Sequence, residues 1–322
     1  MSRKKALIAA ALLAAIAGLG VAQRHRVLLH LLALQGAPPL GDAADEGPHA
    51  RWFDDYFTTE ALDARTFAIG EPRYAEQNFS YLLVGAERAV LFDAGPGLRD
   101  IRAVAESLTT LPIMFVPSHF HYDHVGNRVS FERVAVVDLP YLRARAKGDR
   151  LTLLPFEHLG AAEGLDAPTL LVDEWLAPGS VLALGERDLL VLATPGHTEE
   201  SISLLDRASG QLFSGDFIYP GQLYGFLPNS GMGDYAAGAR TLLEAAAPAT
   251  RIFGAHRVKP PGAPELAMSD VRDLAETLRA ISAGERASTG IYPVSYRVNE
   301  RLELLAEPRW LQDWEPRAQA RR

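Results

Sequence analysis

The chain has no cysteine in 322 residues. This absence excludes a disulfide framework, a thiolate zinc knuckle, an iron–sulfur cluster and a cysteine nucleophile. Any metal must therefore be held by His, Asp or Glu. Basic residues are in the minority, with 32 Lys and Arg against 40 Asp and Glu and a formal net charge of −8. A surface that neutralises phosphates needs the opposite balance, so no nucleic-acid partner is expected. No internal repeat and no low-complexity tract is present. The remainder, 48% hydrophobic and 22% charged, is ordinary globular composition, long enough for one large α/β domain or two small ones.

Arg3, Lys4 and Lys5 precede an uncharged run from Ala6 to Ala22. A positive start before an apolar core is the layout of a secretory signal, and Gly20-Val21-Ala22 supplies a small-x-small cleavage site. The run is somewhat long for a signal core and somewhat short for a membrane span, so a cleaved signal and an uncleaved anchor both stand. After Arg24-His25-Arg26, the apolar stretch Val27 to Leu34 suits a membrane interface. Residues 1–36 are thus expected to export the protein or hold it at a membrane, with its domain outside the cytoplasm, either periplasmic or on the outer side of the inner membrane. Residues 37–50, rich in Pro and Gly, read as a linker. The folded domain is expected over 51–306, with a polar tail over 307–322.

Short β-like runs alternate with amphipathic stretches along the domain. Strands are expected at Thr66–Ile69, Phe79–Val84, Ala89–Phe92, Ile113–Pro117, Arg133–Val137, Ser180–Leu184, Leu189–Ala193, Ser201–Leu205, Leu212–Ser214 and Arg251–Gly254. Helices are expected at Gly97–Leu108, Leu139–Ala146, Asp234–Ala246 and Ser269–Ala283, with a closing strand within Val294–Leu305. Strands paired by hairpins and interrupted by helices predict two mixed sheets with helices outside, an α/β fold.

The densest chemistry is Ser118-His119-Phe120-His121-Tyr122-Asp123-His124, directly after the strand Ile113–Pro117. Residues two apart at a strand end point the same way, so His119 and His121 can offer imidazoles to one metal. Asp123 and His124 lie beyond the turn and can aim at a neighbouring site. Three more polar residues follow apolar strands beside Gly or Pro: His197 in Pro195-Gly196-His197, Asp216 in Ser214-Gly215-Asp216, and His256 in Gly254-Ala255-His256. Loops at one edge of the sheets are where α/β folds collect functional groups. The chain has nine His, and five of them sit in these motifs. The other four, His25, His30, His49 and His158, read as surface or interface residues.

The pattern HxHxDH, then His, then Asp, then His, over roughly Thr66 to His256, resembles the metallo-β-lactamase superfamily. The resemblance implies a four-layer αββα sandwich and two zinc ions, with iron or manganese also compatible with these ligands. It assigns His119, His121 and His197 to one ion, Asp123, His124 and His256 to the other, and Asp216 to both. Asp93, in Phe92-Asp93-Ala94-Gly95, matches an acidic residue that orients ligands by hydrogen bonding. Two ions sharing a hydroxide can attack a polarised carbonyl without a protein nucleophile. The resemblance also leads us to expect a catalytic part for Asp123 beside its role as a ligand.

The missing cysteine excludes lactamases that use a Cys ligand, while Asp216 separates the chain from the lactamase group that lacks a bridging Asp. The ligand set is similar to that of glyoxalase II-like thioesterases, lactonases and RNA-processing nucleases, and acidity argues against the last. The segment Tyr141–Asp149 and the C-terminal extension resemble the acyl-CoA thioesterase-like branch. Tyr219, three residues after Asp216, is expected to donate a hydrogen bond to the developing oxyanion. The apolar segment Gln222–Pro228 either walls an acyl groove or packs on the core. The expected function is binuclear zinc hydrolysis of a thioester or lactone. The alternatives are a β-lactamase-like amide hydrolase, a mononuclear iron persulfide dioxygenase and a non-catalytic, metal-braced binding protein.

Overall fold

The computed structural model describes Gly18 and residues 20–317. Most of the apolar run Ala6 to Ala22, and the last five residues, lie outside the described residues. Among the described residues, no helix is long and apolar enough to cross a membrane.

The first sheet runs in the order β1 (Ala50–Trp52), β2 (Thr58–Asp63), β3 (Thr66–Gly70), β4 (Phe79–Val84), β5 (Ala89–Phe92), β6 (Ile113–Val116), β7 (Arg133–Val137). A two-stranded ribbon, β8 (Arg150–Thr152) with β9 (Thr169–Leu171), follows, and β10 (Glu174–Leu176) then closes the first sheet beside β7. The second sheet comprises β11 (Val181–Ala183), β12 (Asp188–Ala193), β13 (Ile202–Asp206), β14 (Gln211–Gly215), β16 (Arg251–Gly254) and β17 (Glu265–Ala267), in that order. A third, small sheet places β19 (Leu302–Ala306) between β15 (Gly221–Gly225) and β18 (Val294–Arg297). The helices are α1 (Arg24–Gln35), α2 (Ile101–Leu108), α3 (Tyr122–Val125), α4 (Pro140–Arg145), α5 (Pro155–His158), α6 (Met232–Ala245) and α7 (Met268–Ala283).

Side-chain alternation in the second sheet builds the layers. Leu204, Phe213 and Phe253 enter one core with β3–β7 and α2, while their neighbours Leu205, Leu212 and Ile252 enter another with α6 and α7. The period of two makes one strand serve two cores. The result is helix, sheet, sheet, helix, the four-layer αββα sandwich expected. In α7, Val271, Leu274, Leu278 and Ile281 recur every three or four residues and are buried. Its ends are set by Asp270, whose Oδ2 accepts from Ala267 N at 2.9 Å, and by Gly284 at φ +77°.

Three expectations change. The helix expected from Gly97 starts at Ile101, because Gly97 lies at φ +83° and Asp100 caps the first turn by accepting from Arg102 N. The closing strand is a hairpin, β18 and β19, turned by Asn299, whose side chain accepts from Arg301 N and Leu302 N. The terminal segments are fastened to the domain. In the linker, Glu46 is buried and pairs with Arg257 at 2.7 Å, while Gly41 N donates to Arg73 O. In the tail, Glu307 is buried against Arg24, and Trp314 packs on the second core.

Candidate metal centre

The expected ligands gather past the carboxyl ends of strands: His119 and His121 after β6, Asp123 and His124 on α3 that follows them, His197 after β12, Asp216 after β14 and His256 after β16, with the orienting Asp93 after β5. β4 runs antiparallel to β5, so its start lies at the same edge, and Asn78 there bridges to His256. Phe79 N donates to Ala255 O at 2.7 Å, joining the two sheets beside the site. Gly215 has φ +50°, and a Cβ there would lie 2.4 Å from Ser118 Oγ, so this close approach of β14 to the histidine loop requires glycine.

The residues assemble in two buried groups, His119, His121, His197 and Asp216, and Asp123, His124 and His256. Within each group the donor atoms lie within 4.8 Å of one another. Asp216 stands between the groups. Its Oδ2 faces His197 Nε2 at 3.4 Å and His119 Nε2 at 4.0 Å, and its Oδ1 faces His256 Nε2 at 3.1 Å and His124 Nε2 at 3.4 Å. Asp123 Oδ2 lies 3.1 Å from His124 Nε2 and 3.4 Å from His256 Nε2.

Four imidazoles turn Nε2 inward because Nδ1 is engaged elsewhere. His197 Nδ1 donates to Tyr224 O at 3.0 Å, and His256 Nδ1 donates to Glu76 O at 2.9 Å. His119 Nδ1 lies 2.9 Å from Ser118 Oγ, and His124 Nδ1 lies 2.9 Å from Asp93 Oδ2. His121 is turned the other way, with Nδ1 3.0 Å from His197 Nε2. Such outer partners fix ring orientation and tautomer. Asn78 does the same for Asp123, donating to Oδ2 at 2.9 Å and to the backbone carbonyl at 3.0 Å.

Burial holds His119, His121 and His197 well toward the neutral form. Burial opposes the charge of Asp216 and Asp123 too, but His256 and His124 outweigh it and keep both carboxyls below the usual range. For His124 and His256, burial is in turn outweighed by Asp123 and Asp216, raising His256 to about 9. Neutral imidazoles and ionised carboxylates are the forms that ligate metal, so a bound cation would replace the protons that the carboxylates draw to His124 and His256. Buried His119 Nε2 and His124 Nε2, both turned inward, make no hydrogen bond. Leaving such atoms unpaired is costly, and a cation bound by this imidazole–carboxylate set satisfies them. The residues fit a metal centre.

Tyr219 differs from its expectation. Its ring packs edge-on to His256 with centroids 5.1 Å apart, but its hydroxyl donates to Gln222 O at 2.6 Å. The single proton is thus committed to a backbone carbonyl and is not presented to substrate. The segment Gln222–Pro228 divides between the core and a cavity wall. Leu223 is buried in the second core, whereas Tyr224, Phe226 and Leu227 line a cavity of about 670 Å³ reaching His121, His197, Asp216 and His256. His158, expected at the surface, is 3% exposed. Asn78, Ser118 and the carbonyls of Glu76 and Tyr224 escaped the sequence reading. Ser118 alone had a local signal, its place beside the histidine motif.

Five strand ends converging on paired His–Asp groups between two sheets define a metal-dependent hydrolase of the αββα class. The profile of the metallo-beta-lactamase superfamily matches residues 73–285, well over half of the chain. The chain belongs to that superfamily. It is 31% identical over 210 residues to "Acyl-coenzyme A thioesterase MBLAC2" of Gallus gallus, covering 59% of this chain and 76% of the relative. The human protein of that name is 30% identical over 220 residues, with the same coverage. A hydroxyacylglutathione hydrolase of Bradyrhizobium sp. is 30% identical over 165 residues, and there the match spans 49% of this chain and about half of the relative, 53%. The metallo-β-lactamase of Erythrobacter litoralis shares the fold at 16% identity, with TM-score 0.53 over 71% of this chain and 99% of that one.

Proposed function

We propose that the protein hydrolyses thioesters, with lactone esters as the next class, using two divalent ions, zinc foremost, and that it works outside the cytoplasm. One observation carries the reading: Asp216 divides its two oxygens between two histidine groups at the floor of a largely apolar cavity. The names of the relatives, a thioesterase and a hydroxyacylglutathione hydrolase, support thioesters over lactones.

His119, His121 and His197 would hold one ion, Asp123, His124 and His256 the other, and Asp216 both. The ions would supply Lewis-acid polarisation of a carbonyl and a lowered pKa for water. The chain's own part is orientation. Asp93, Ser118, Asn78 and the carbonyls of Tyr224 and Glu76 hold the ligands in place before substrate arrives. Tyr224, Phe226 and Leu227 give the cavity apolar walls that favour an apolar substrate arm over water.

The test is a panel of acyl-coenzyme A thioesters, acyl lactones and a chromogenic cephalosporin, with purified full-length protein and metal quantified in the same sample. Thioester turnover with about two metals per chain is expected. Less than about one metal per chain, or activity surviving a His121→Ala, Asp216→Asn double change, overturns the reading. The basic–apolar start of the chain supports the location. An alkaline phosphatase fusion after residue 36 is expected to be active, and an inactive fusion retained in the cytoplasm refutes it.

A further inference from the structure

We propose that α1 is one wall of the substrate cavity and that Leu28 on it discriminates the length of the substrate's acyl arm; this rests on the thioester reading above. The helix is fastened to the domain on both sides of Leu28. Arg24 pairs with Glu307, with Nη2 3.0 Å from Oε2, and His25 Nε2 lies 3.2 Å from Glu307 Oε1. Beyond Leu28, Leu29 packs against the main core. Arg24 and Leu28 are four residues apart and share a helix face, so the ion pair that draws Arg24 to the domain turns Leu28 inward. Leu28 accordingly lines the same cavity as His121, Asp216 and His256, whereas Val27 beside it is 51% exposed.

The cavity has a direction. Phe226 and Leu227, which line it, also line a second cavity of about 500 Å³ bordered by residues 22–26 at the start of α1. The second cavity is polar, bordered by Arg24, Glu307, Asp313 and Arg317, so the apolar walls that leave the buried ligands, Tyr224, Phe226 and Leu227, end at Leu28 on the helix. A thioester has a polar carbonyl that belongs at the ligands and an apolar arm that gains from leaving water, about fourfold in binding per buried methylene. These walls suit the arm, and Leu28 stands where a longer arm arrives.

The experiment uses the full chain, loaded with zinc, on butyryl-, octanoyl- and dodecanoyl-coenzyme A. Leu28→Trp is expected to raise KM for the dodecanoyl substrate about tenfold while leaving butyryl turnover within about twofold. Val27→Trp, the same bulk on the outer face, is expected to change neither. Leu28→Ala, favourable to the helix, guards against a misfolded Trp variant and is expected to raise the dodecanoyl KM about fourfold. An unchanged dodecanoyl-to-butyryl ratio in both Leu28 variants, or an equal shift in Val27→Trp, overturns the proposal. A wild-type chain that cleaves no thioester sinks the function instead. The wall is then decided by titrating metal-free protein with a fluorescent dodecyl-chain fatty acid. Binding weakened about tenfold by Leu28→Trp and not by Val27→Trp upholds it, and equal binding by all three refutes it.

Discussion

Asp93 ties together two parts of the histidine loop: its Oδ1 accepts from Ser118 N at 2.6 Å, and its Oδ2 lies 2.9 Å from His124 Nδ1. It does so from the left-handed region, φ +66°, directly after β5. One carboxylate thus sets the start of the loop and the ring orientation of a residue six positions later. Asp93→Asn keeps one acceptor and loses the charge facing His124. Affinity for the more weakly held metal is expected to fall about ten- to a hundredfold, read by competition with a chromogenic chelator. Unchanged affinity would show that the contact does not orient the ligand.

Tyr219 spends its proton on Gln222 O, so Tyr219→Phe removes one buried hydrogen bond and leaves the ring against His256. A stability loss of about 1 kcal/mol is expected in urea unfolding, with hydrolysis within about threefold of wild type. A fall of about a hundredfold in kcat with unchanged stability would instead return the hydroxyl to the oxyanion.

Gly215→Ala places a methyl group 2.5 Å from Ser118 Cβ at a backbone φ of +50°. Strain and the clash together are expected to cost about 2–4 kcal/mol and to loosen His119 through Ser118. Urea unfolding measures the first and metal titration the second. A variant as stable as wild type would mean that β14 can withdraw from the loop.

His158 is buried near Arg128, and burial, with that guanidinium second, lowers its pKa from 6.5 to about 4. The unfolded chain therefore takes up this proton first as the pH falls. The contribution to stability is complete above about pH 6.5 and is lost as the pH drops toward about 4. His158→Phe, measured in chelator so that metal loss does not intrude, is expected to flatten the dependence of unfolding free energy on pH across that window. An identical slope in both proteins would place the effect on another group.

The sequence by itself determined the ligand types, their order and their positions past strand ends. These are local properties: the period of two puts His119 and His121 on one side of a chain leaving β6, and the Gly and Pro neighbours mark where strands stop. The alternation of short strands and helices also carried two mixed sheets with helices outside, and the family resemblance carried the αββα layering. Only the tertiary structure decided which atoms meet. The division of Asp216 between His197 and His256, the outer partners at Tyr224 O and Glu76 O, the commitment of the Tyr219 hydroxyl and the inward turn of Leu28 all depend on how elements far apart in the chain are packed. The His256–Glu76 contact joins residues 180 positions apart. A side chain's residue type is written in the sequence, but the direction of its donor atom is set by whichever partner the packed sheets bring within about 3 Å.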